Sequence, residues 1–520
     1  MPAMTVQQAI ELAVSHHNAN RLQEAEALYR QVLAAEPNQP DALHLLGVIA
    51  FQTNHFDAAR ELIARAIAIH PTDENYHYNL GHVHAMAGDR KAAIESYQRA
   101  IAIRPDHAES YNNMGVVMAE LRQHPDAIES YRKALAINPN FADCYCNLSN
   151  ALRETNQIDA ALAAALKGRE LSPALPAGHN NLGAALLRSG RVDEAIESYR
   201  RAIELEPDFA MAHYNLAMAL LMKGRMLEAW PHAEWRWKAK ELNLQVQSFA
   251  QPMWDGSNLE GKTILLHAEQ GFGDAIHLVR YVPKVAERGG KILLAVPPGL
   301  PRLMKSATGV ETILTDGDPL PPFDVHCPMA SLPMIFQTTL ETIPAPIPYL
   351  RAEPERVQRW RDRIGSAAGI RRIGLVWAGS PEHKNDHNRS IALSRLAPLA
   401  AIPNLSFFSL QKGIAADQLK SAPAGMQITD FGSELLDFTD TAAAIENLDL
   451  LITVDTAPAH LAGAMGRPVW MLVPHTPDWR WMLIREDSPW YPTMRLFRQP
   501  RAGDWEAPIG RLVAALRAFN

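Results

Sequence analysis

Cysteine is nearly absent from this chain: its 520 residues carry three, Cys144, Cys146 and Cys327. Their spacing fits neither a zinc site nor a thioredoxin-type pair, and such sparse usage suits a reducing compartment. Basic residues are also in short supply, 50 Lys and Arg against 57 Asp and Glu, for a net charge of −7. Without a basic field to gather phosphates, nucleic acid is excluded as the main partner. No apolar run reaches the length of a membrane span. The opening MPAMTVQQAIELAVSHHNANR has neither the basic start nor the apolar centre of a signal peptide, so cytoplasm is expected. What is present, 47% hydrophobic and 21% charged residues, is the composition of a globular chain, long enough for several domains.

The first half repeats. Frames beginning at Val6, Pro40, Glu74, Ala108, Ala142, Pro176 and Ala210 give seven units of 34 residues with no insertion. The eighth position is small (Ala13, Gly47, Gly81, Gly115, Ser149, Gly183, Ala217) and the twentieth is alanine throughout, from Ala25 to Ala229. A proline stops the second helix of the first six units: Pro37, Pro71, Pro105, Pro139, Pro173 and Pro207. This resembles the tetratricopeptide repeat, an α-solenoid of helix pairs with a concave binding face. The sixth position carries Asn79, Asn113, Asn147, Asn181 and Asn215, where the first two units have Glu11 and Leu45. An amide donates and accepts, so a row of them suits the backbone of an extended peptide; a merely solvated groove is the other reading. The array of the eukaryotic-type protein O-GlcNAc transferase has a similar ladder, and the resemblance implies that use. The last unit decays into EAWPHAEWRWKAKELN, whose Trp230, Trp235, Trp237 and Arg236 suit a cap docked on the next domain.

From Gly261 strands and helices alternate, which predicts parallel sheets. KTILLHAE, KILLAV and FDVHCPM read as strands, and AIHLVRYVPKVAERG as a helix. After the proline-rich stretch around 341–354, RIGLVWAG, LSFFSLQKG and MQITDFG read as strands, ALSRLAPLA and DTAAAIENL as helices. The block is organised around Leu448 to Pro474, LDLLITVDTAPAHLAGAMGRPVWMLVP, a β-α-β unit whose loop lies at the carboxyl edge of its sheet. Ligands bind there, and a helix amino terminus favours phosphate. Thr456 and His460 either face such a ligand or serve as a helix cap and a packing residue.

Two such halves with a cleft between them resemble the GT-B glycosyltransferase architecture. GFGDAIHLVRYVP resembles the opening of glycosyltransferase family 9, the heptosyltransferase type, and VDTAPAHLAGAMGRPVWML resembles that family's donor motif. The resemblance covers roughly residues 261 to 498 and implies a nucleotide-sugar-dependent, metal-independent, inverting transfer of a hexosyl or heptosyl group, with no cofactor. It implies that Asp274, beside Gly271 and Gly273, takes the acceptor proton; helix capping is its structural alternative. Glu269, five residues earlier, is a second candidate for the catalytic carboxylate. The resemblance also implies that Thr456 and His460 hold the diphosphate while Asp455 orients their loop. Arg389 matches the family's basic loop residue, and Lys412 and Asp478 join the donor-binding set. One departure stands out: Gln411 and Lys412 occupy the place of the family's usual acidic residue, which leaves ribose recognition and donor identity open.

The expected architecture is an α-solenoid followed by an α/β GT-B glycosyltransferase with two Rossmann-like halves. The boundaries fall at 1–243 for seven repeats, 244–260 for a linker, 261–350 for the acceptor half, 351–498 for the donor half and 499–520 for a terminal helix. Such fusions resemble bacterial repeat-containing glycosyltransferases. The leading expectation is transfer of a sugar to a protein or peptide held by the repeats. Two alternatives stand beside it: glycosylation of a surface polysaccharide or lipopolysaccharide with the repeats recruiting partners, and a non-catalytic interaction scaffold.

Overall fold

Small residues at fixed places let neighbouring helices approach, and the helices begin where the frames begin. In a computed structural model, described over residues 4–244, 247–344, 347–365 and 368–519, the chain forms two compact units, Met1–Ser189 and Gly190–Asn520. In the first unit the leading helices are Val6–Asn18, Pro40–Gln52, Glu74–Met86, Ala108–Glu120, Ala142–Glu154 and Pro176–Arg188. Leu22–Ala35, Phe56–Ile69, Arg90–Ile103, His124–Ile137 and Ile158–Leu171 follow them in turn. Ala25, Ala59, Ala93, Ala127 and Ala161 are fully buried between paired helices. Gly81 and Gly115 face the rings of Tyr97 and Tyr131 so closely that an added Cβ would lie 2.7 Å from each.

The second unit opens with Val192–Leu205, Ala210–Met222 and Met226–Ala233, which belong to the last repeats, and then turns to strands. β1 (Thr263–His267), β2 (Lys291–Ala295), β3 (Thr312–Leu314) and β4 (Val325–Pro328) form a parallel sheet in the order β3-β2-β1-β4. β5 (Arg371–Val376), β6 (Leu405–Ser409), β7 (Ile428–Asp430), β8 (Leu450–Val454), β9 (Val469–Val473) and β10 (Met494–Arg498) form a second, in the order β10-β9-β8-β5-β6-β7. All its neighbours run parallel. This is the doubly wound order of dinucleotide-binding sheets, with its reversal between β5 and β8. The helix Glu506–Arg517 lays Ile509, Leu512, Val513 and Leu516 on the core formed by β5, β8 and β9.

The two strands β3 and β10 carried no sequence signal strong enough to predict them. Proline reshapes two expected helices. AIHLVRYVPKVAERG becomes Phe272–Leu278, a 3-10 turn Val279–Tyr281 and Val282–Ala286, with Pro283 at the break. ALSRLAPLA winds as a 3-10 segment, Leu393–Ala401, around Pro398. In the linker, Trp254 is buried and pinned to β4 through its amide, 2.8 Å from the His326 carbonyl. Residues 245–246 of that linker and 345–346 of the proline-rich connection lie outside the described residues. Among the described residues no helix is long and apolar enough to cross a membrane.

Candidate active site

Each sheet offers one loop at its point of reversal, and both carry the motifs. β1 leads through Gly271 into the helix Phe272–Leu278, with Asp274 in its first turn. β8 leads through Asp455 and Thr456 into the helix Ala457–Ala464. The two helices meet amino end to amino end. A Cβ on Gly273 would lie 2.9 Å from His460 Cδ2 and 3.7 Å from Ala457 Cα, so only glycine permits this approach. Asp274, Asp455, Thr456 and His460 therefore converge from two sheets.

The structural alternatives proposed for these residues can be read off their bonds. Thr456 holds the capping position, yet its hydroxyl turns back to Thr453 Oγ1 (3.0 Å) and the Val454 carbonyl (3.3 Å), and no side chain caps the helix. Asp274 is not a cap either: its Oδ1 accepts from Arg480 Nη2 at 2.5 Å. Arg480 also donates through Nη1 to Asp478 Oδ1 (3.0 Å) and lies 4.4 Å over the Trp479 ring. Behind this cluster Asp455 is pushed up to about 6, by burial first and then by the Asp478 charge, against the pull of Arg389 and Arg480. Arg389 is tied to Asp386 at 3.3 Å and fits beside Gly379, where a Cβ would come within 2.6 Å of its Nη2.

His460 is buried, and burial together with Arg480, Arg280 and Arg389 holds its imidazole well below the usual histidine range. It is a neutral hydrogen-bonding group here, so a contact with a diphosphate would draw its charge from the ligand alone. Its Nδ1 lies 2.9 Å from Tyr491 Oη, and that oxygen lies 3.1 Å from His277 Nδ1. The phenol thus bridges the two imidazoles, each of which donates or accepts according to its tautomer. Tyr491 and His277 had no repeating pattern to reveal them, although His277 lies only three residues beyond Asp274.

Two members of the expected set are engaged elsewhere. Glu269 is 3% exposed, and Arg236 holds it through Nε at 2.6 Å. Arg236 also donates to Glu234 (2.6 Å) and Ser331 Oγ (2.7 Å). Glu269 thus joins the seventh repeat to the first sheet instead of facing a substrate. Lys412 donates its ammonium to the Leu435 carbonyl. The neighbouring Gln411 is satisfied internally: its oxygen accepts from the amides of Trp377 (3.0 Å) and Ala378 (2.9 Å), and its nitrogen donates to the carbonyls of Ala378 (3.0 Å) and Lys412 (2.8 Å). It clamps the end of β5 to the end of β6, and no valence remains for a ribose.

The seventh repeat reaches the cleft. Trp230 donates its indole N–H to the Thr338 carbonyl at 2.8 Å and meets Trp479 edge to face. The Tyr214 phenol is pushed up to about 12, by burial first and then by the charges of Asp478 and Asp274. Tyr214 escaped notice in the sequence because it precedes the conspicuous Asn215.

In the first unit the ladder asparagines bind the preceding repeat. Asn79 Nδ2 lies 2.8 Å from His44 Nε2, Asn113 Nδ2 lies 3.0 Å from Tyr78 Oη and Asn147 Nδ2 lies 3.0 Å from Asn112 Oδ1. Asn181 bonds to Cys146 in the same way. Burial lowers His44 to about 4, so a neutral ring accepts the Asn79 proton.

Tetratricopeptide repeat models match residues 17–80, 72–140, 130–163 and 185–224, and the glycosyltransferase family 9 (heptosyltransferase) model matches residues 415–495. The chain thus carries tetratricopeptide repeats followed by a glycosyltransferase family 9 domain with parallel sheets consistent with the GT-B fold. The matched segment contains Asp455, Thr456, His460, Asp478 and Arg480, and it stops short of Asp274. The chain is similar to Protein FlbA of Caulobacter vibrioides, 27% identical over 288 residues, 51% of this chain and 48% of that protein, so it spans about half of that relative's length. Among solved structures it is similar to MamA (27% identity, 31% of this chain and 94% of that one, TM-score 0.30). It is also similar to PilF of Pseudomonas aeruginosa (19% identity, 39% and 91%, TM-score 0.34).

Proposed function

We propose that the chain transfers a sugar from a nucleotide-sugar donor to a protein or peptide, with residues 261–350 as the acceptor half and 351–498 as the donor half. The observation that carries this reading is the meeting of the two helix amino ends at Gly273 and His460, which gathers carboxylates, arginines and a phosphate-binding helix start in one cleft. In the reaction the acceptor hydroxyl oxygen attacks the anomeric carbon and its proton passes to Asp274. The bond from that carbon to the β-phosphate oxygen breaks, and the electron pair leaves with the nucleoside diphosphate. Arg480, Arg389 and the amides opening the helix Ala457–Ala464 meet the developing charge, with hydrogen bonds from Thr456 and His460. A single displacement inverts the anomeric centre. Neutral His460 contributes orientation more than charge.

The test is release of nucleoside diphosphate from a panel of nucleotide sugars by the full chain. One donor should be turned over, and a folded Asp274→Asn variant should release almost none. Release no faster than in buffer from every donor would overturn the assignment. A glycan acceptor is the second reading, and the ladder favours it. Asn79, Asn113 and Asn147 each already give one N–H to the preceding repeat, which leaves less of the amide for a peptide backbone.

A further inference from the structure

The transferase reading leaves one arrangement unexplained: the carboxylate assigned to accept a proton is bound to a guanidinium. Asp274 Oδ1 receives Arg480 Nη2 at 2.5 Å, so the guanidinium occupies that oxygen, which opens to an acceptor hydroxyl only when the guanidinium moves away. Arg480 in turn is shared, because its other terminal nitrogen binds Asp478 at 3.0 Å. Resting on that reading, we propose that Arg480 is a movable counterion. The donor's diphosphate competes with Asp274 for it, so that Asp274 is released to act as the base only once the donor is bound.

Three observations support this. First, charge is unbalanced around Arg480. Arg389 is tied to Asp386 at 3.3 Å while Asp274 and Asp478 share Arg480, so an incoming diphosphate that binds Arg480 competes with a carboxylate for it. Second, the partner that can leave is Asp274. Asp478, although its side chain is the more exposed of the two (34% against 26%), belongs to the same turn and also accepts from the Arg480 backbone amide at 3.0 Å, whereas Asp274 comes from the other sheet and holds only the guanidinium. Third, Arg480 keeps a donor in reserve, since its buried Nε has no hydrogen-bond partner among the described residues. A diphosphate beside the Ala457–Ala464 amino end takes the terminal nitrogen that Asp274 gives up, and the unsatisfied Nε favours any turn of the guanidinium that brings it to an acceptor. Asp274 acts on the acceptor, while Arg480 links the two substrates and makes donor binding come first.

Linkage makes the coupling measurable, because a competitor that weakens the donor must tighten it when removed. Calorimetric titration of the full chain with nucleoside diphosphates identifies the one that binds. Asp274→Asn should bind it about tenfold more tightly than the parent, within the usual range of coupling between sites. Asp274→Glu, which keeps the charge, should show no such gain. Combining Asp274→Asn with Arg480→Gln should abolish the gain, which a general loosening of the cleft would not do. Asp274→Ser replaces the amide variant if that variant does not melt cooperatively. Binding to the parent with unchanged or weaker affinity in Asp274→Asn overturns the shared counterion. If such a variant still loses turnover, the base assignment survives that result. Absence of binding by any nucleoside diphosphate, in parent and variant alike, overturns both.

Discussion

Polar side chains in the repeats reach across one period, and those of the cleft reach across most of a domain. Asn113 and Tyr78 are 35 residues apart, as are Asn147 and Asn112, while Arg480 and Asp274 are separated by 206. The first kind of contact recurs because the backbone geometry recurs, so each position has one task throughout the array. The second kind is made once, from loops that parallel sheets bring to the same edge, and it tolerates buried charge because Arg480 and Arg389 face carboxylates while Arg280 is held by two carbonyls, a phenol and aromatic faces. The asparagine contacts of the repeats are thus small neutral bonds, beside ion pairs that lie largely at the surface, whereas the cleft concentrates its polar stabilisation in a few buried ionic ones.

That contrast is broken most easily in the cleft. Asp274→Asn should lower turnover by about two to four orders of magnitude, measured as initial rates with the identified donor. Next in size, Arg236→Ala should destabilise the second unit by about 3–5 kcal/mol, because it leaves Glu269 buried without its partner. Denaturant unfolding monitored by tryptophan fluorescence would report it, and a loss below about 1 kcal/mol would show that the cluster is not a fixed joint. The array should respond far less: Asn147→Ala removes the bond to Asn112 at an expected cost of about 0.5–1.5 kcal/mol. Replacing Asn79, Asn113, Asn147 and Asn181 together tests whether they also hold an acceptor, through KM for a protein acceptor against that for a short one. Equal values for both leave the ladder purely as an inter-repeat fastening.

Acidity separates the buried histidines from the buried Asp455 by sign. His44 in the array and His267 in the second unit are lowered to about 4 by burial, so the unfolded chain binds their protons more readily. The stability they permit is complete above the unfolded value of about 6.5 and is lost as pH falls toward 4. Asp455, raised to about 6, works the other way, since its ionisation above that value costs the folded state and its protonation between 6 and its ordinary value relieves it. Unfolding free energies measured from pH 7.5 to 4.5 should therefore decline on acidification, and a His44→Asn variant should decline less steeply.

The sequence revealed whatever was local or periodic. Frame starts coincide with helix starts, β8 and β9 read directly as apolar runs, and the two glycine-bearing loops lay at predictable sheet edges. The rest depended on where a long side chain goes after the backbone is placed. Glu269 stands near Asp274 in sequence, but Arg236 from the last repeat claims it, and no spacing rule announces a partner 33 residues upstream. Lys412 looked like a donor-binding cation until the Leu435 carbonyl took it, and Gln411 replaced an acid because it closes a strand-end clamp. Tyr491 and Tyr214 were invisible for the same reason.

The central claim is that the Phe272–Leu278 and Ala457–Ala464 helix starts jointly bound a diphosphate site. Titrating nucleoside diphosphates into the full chain and into a Thr456→Ala, His460→Ala double variant tests it most directly. The account predicts one nucleoside diphosphate that binds the parent and binds the variant at least about tenfold more weakly, from the loss of two hydrogen bonds to charged phosphate oxygens of about 1.5–3 kcal/mol each. Unaltered affinity in a cooperatively folded double variant would contradict it and move the diphosphate away from this cleft.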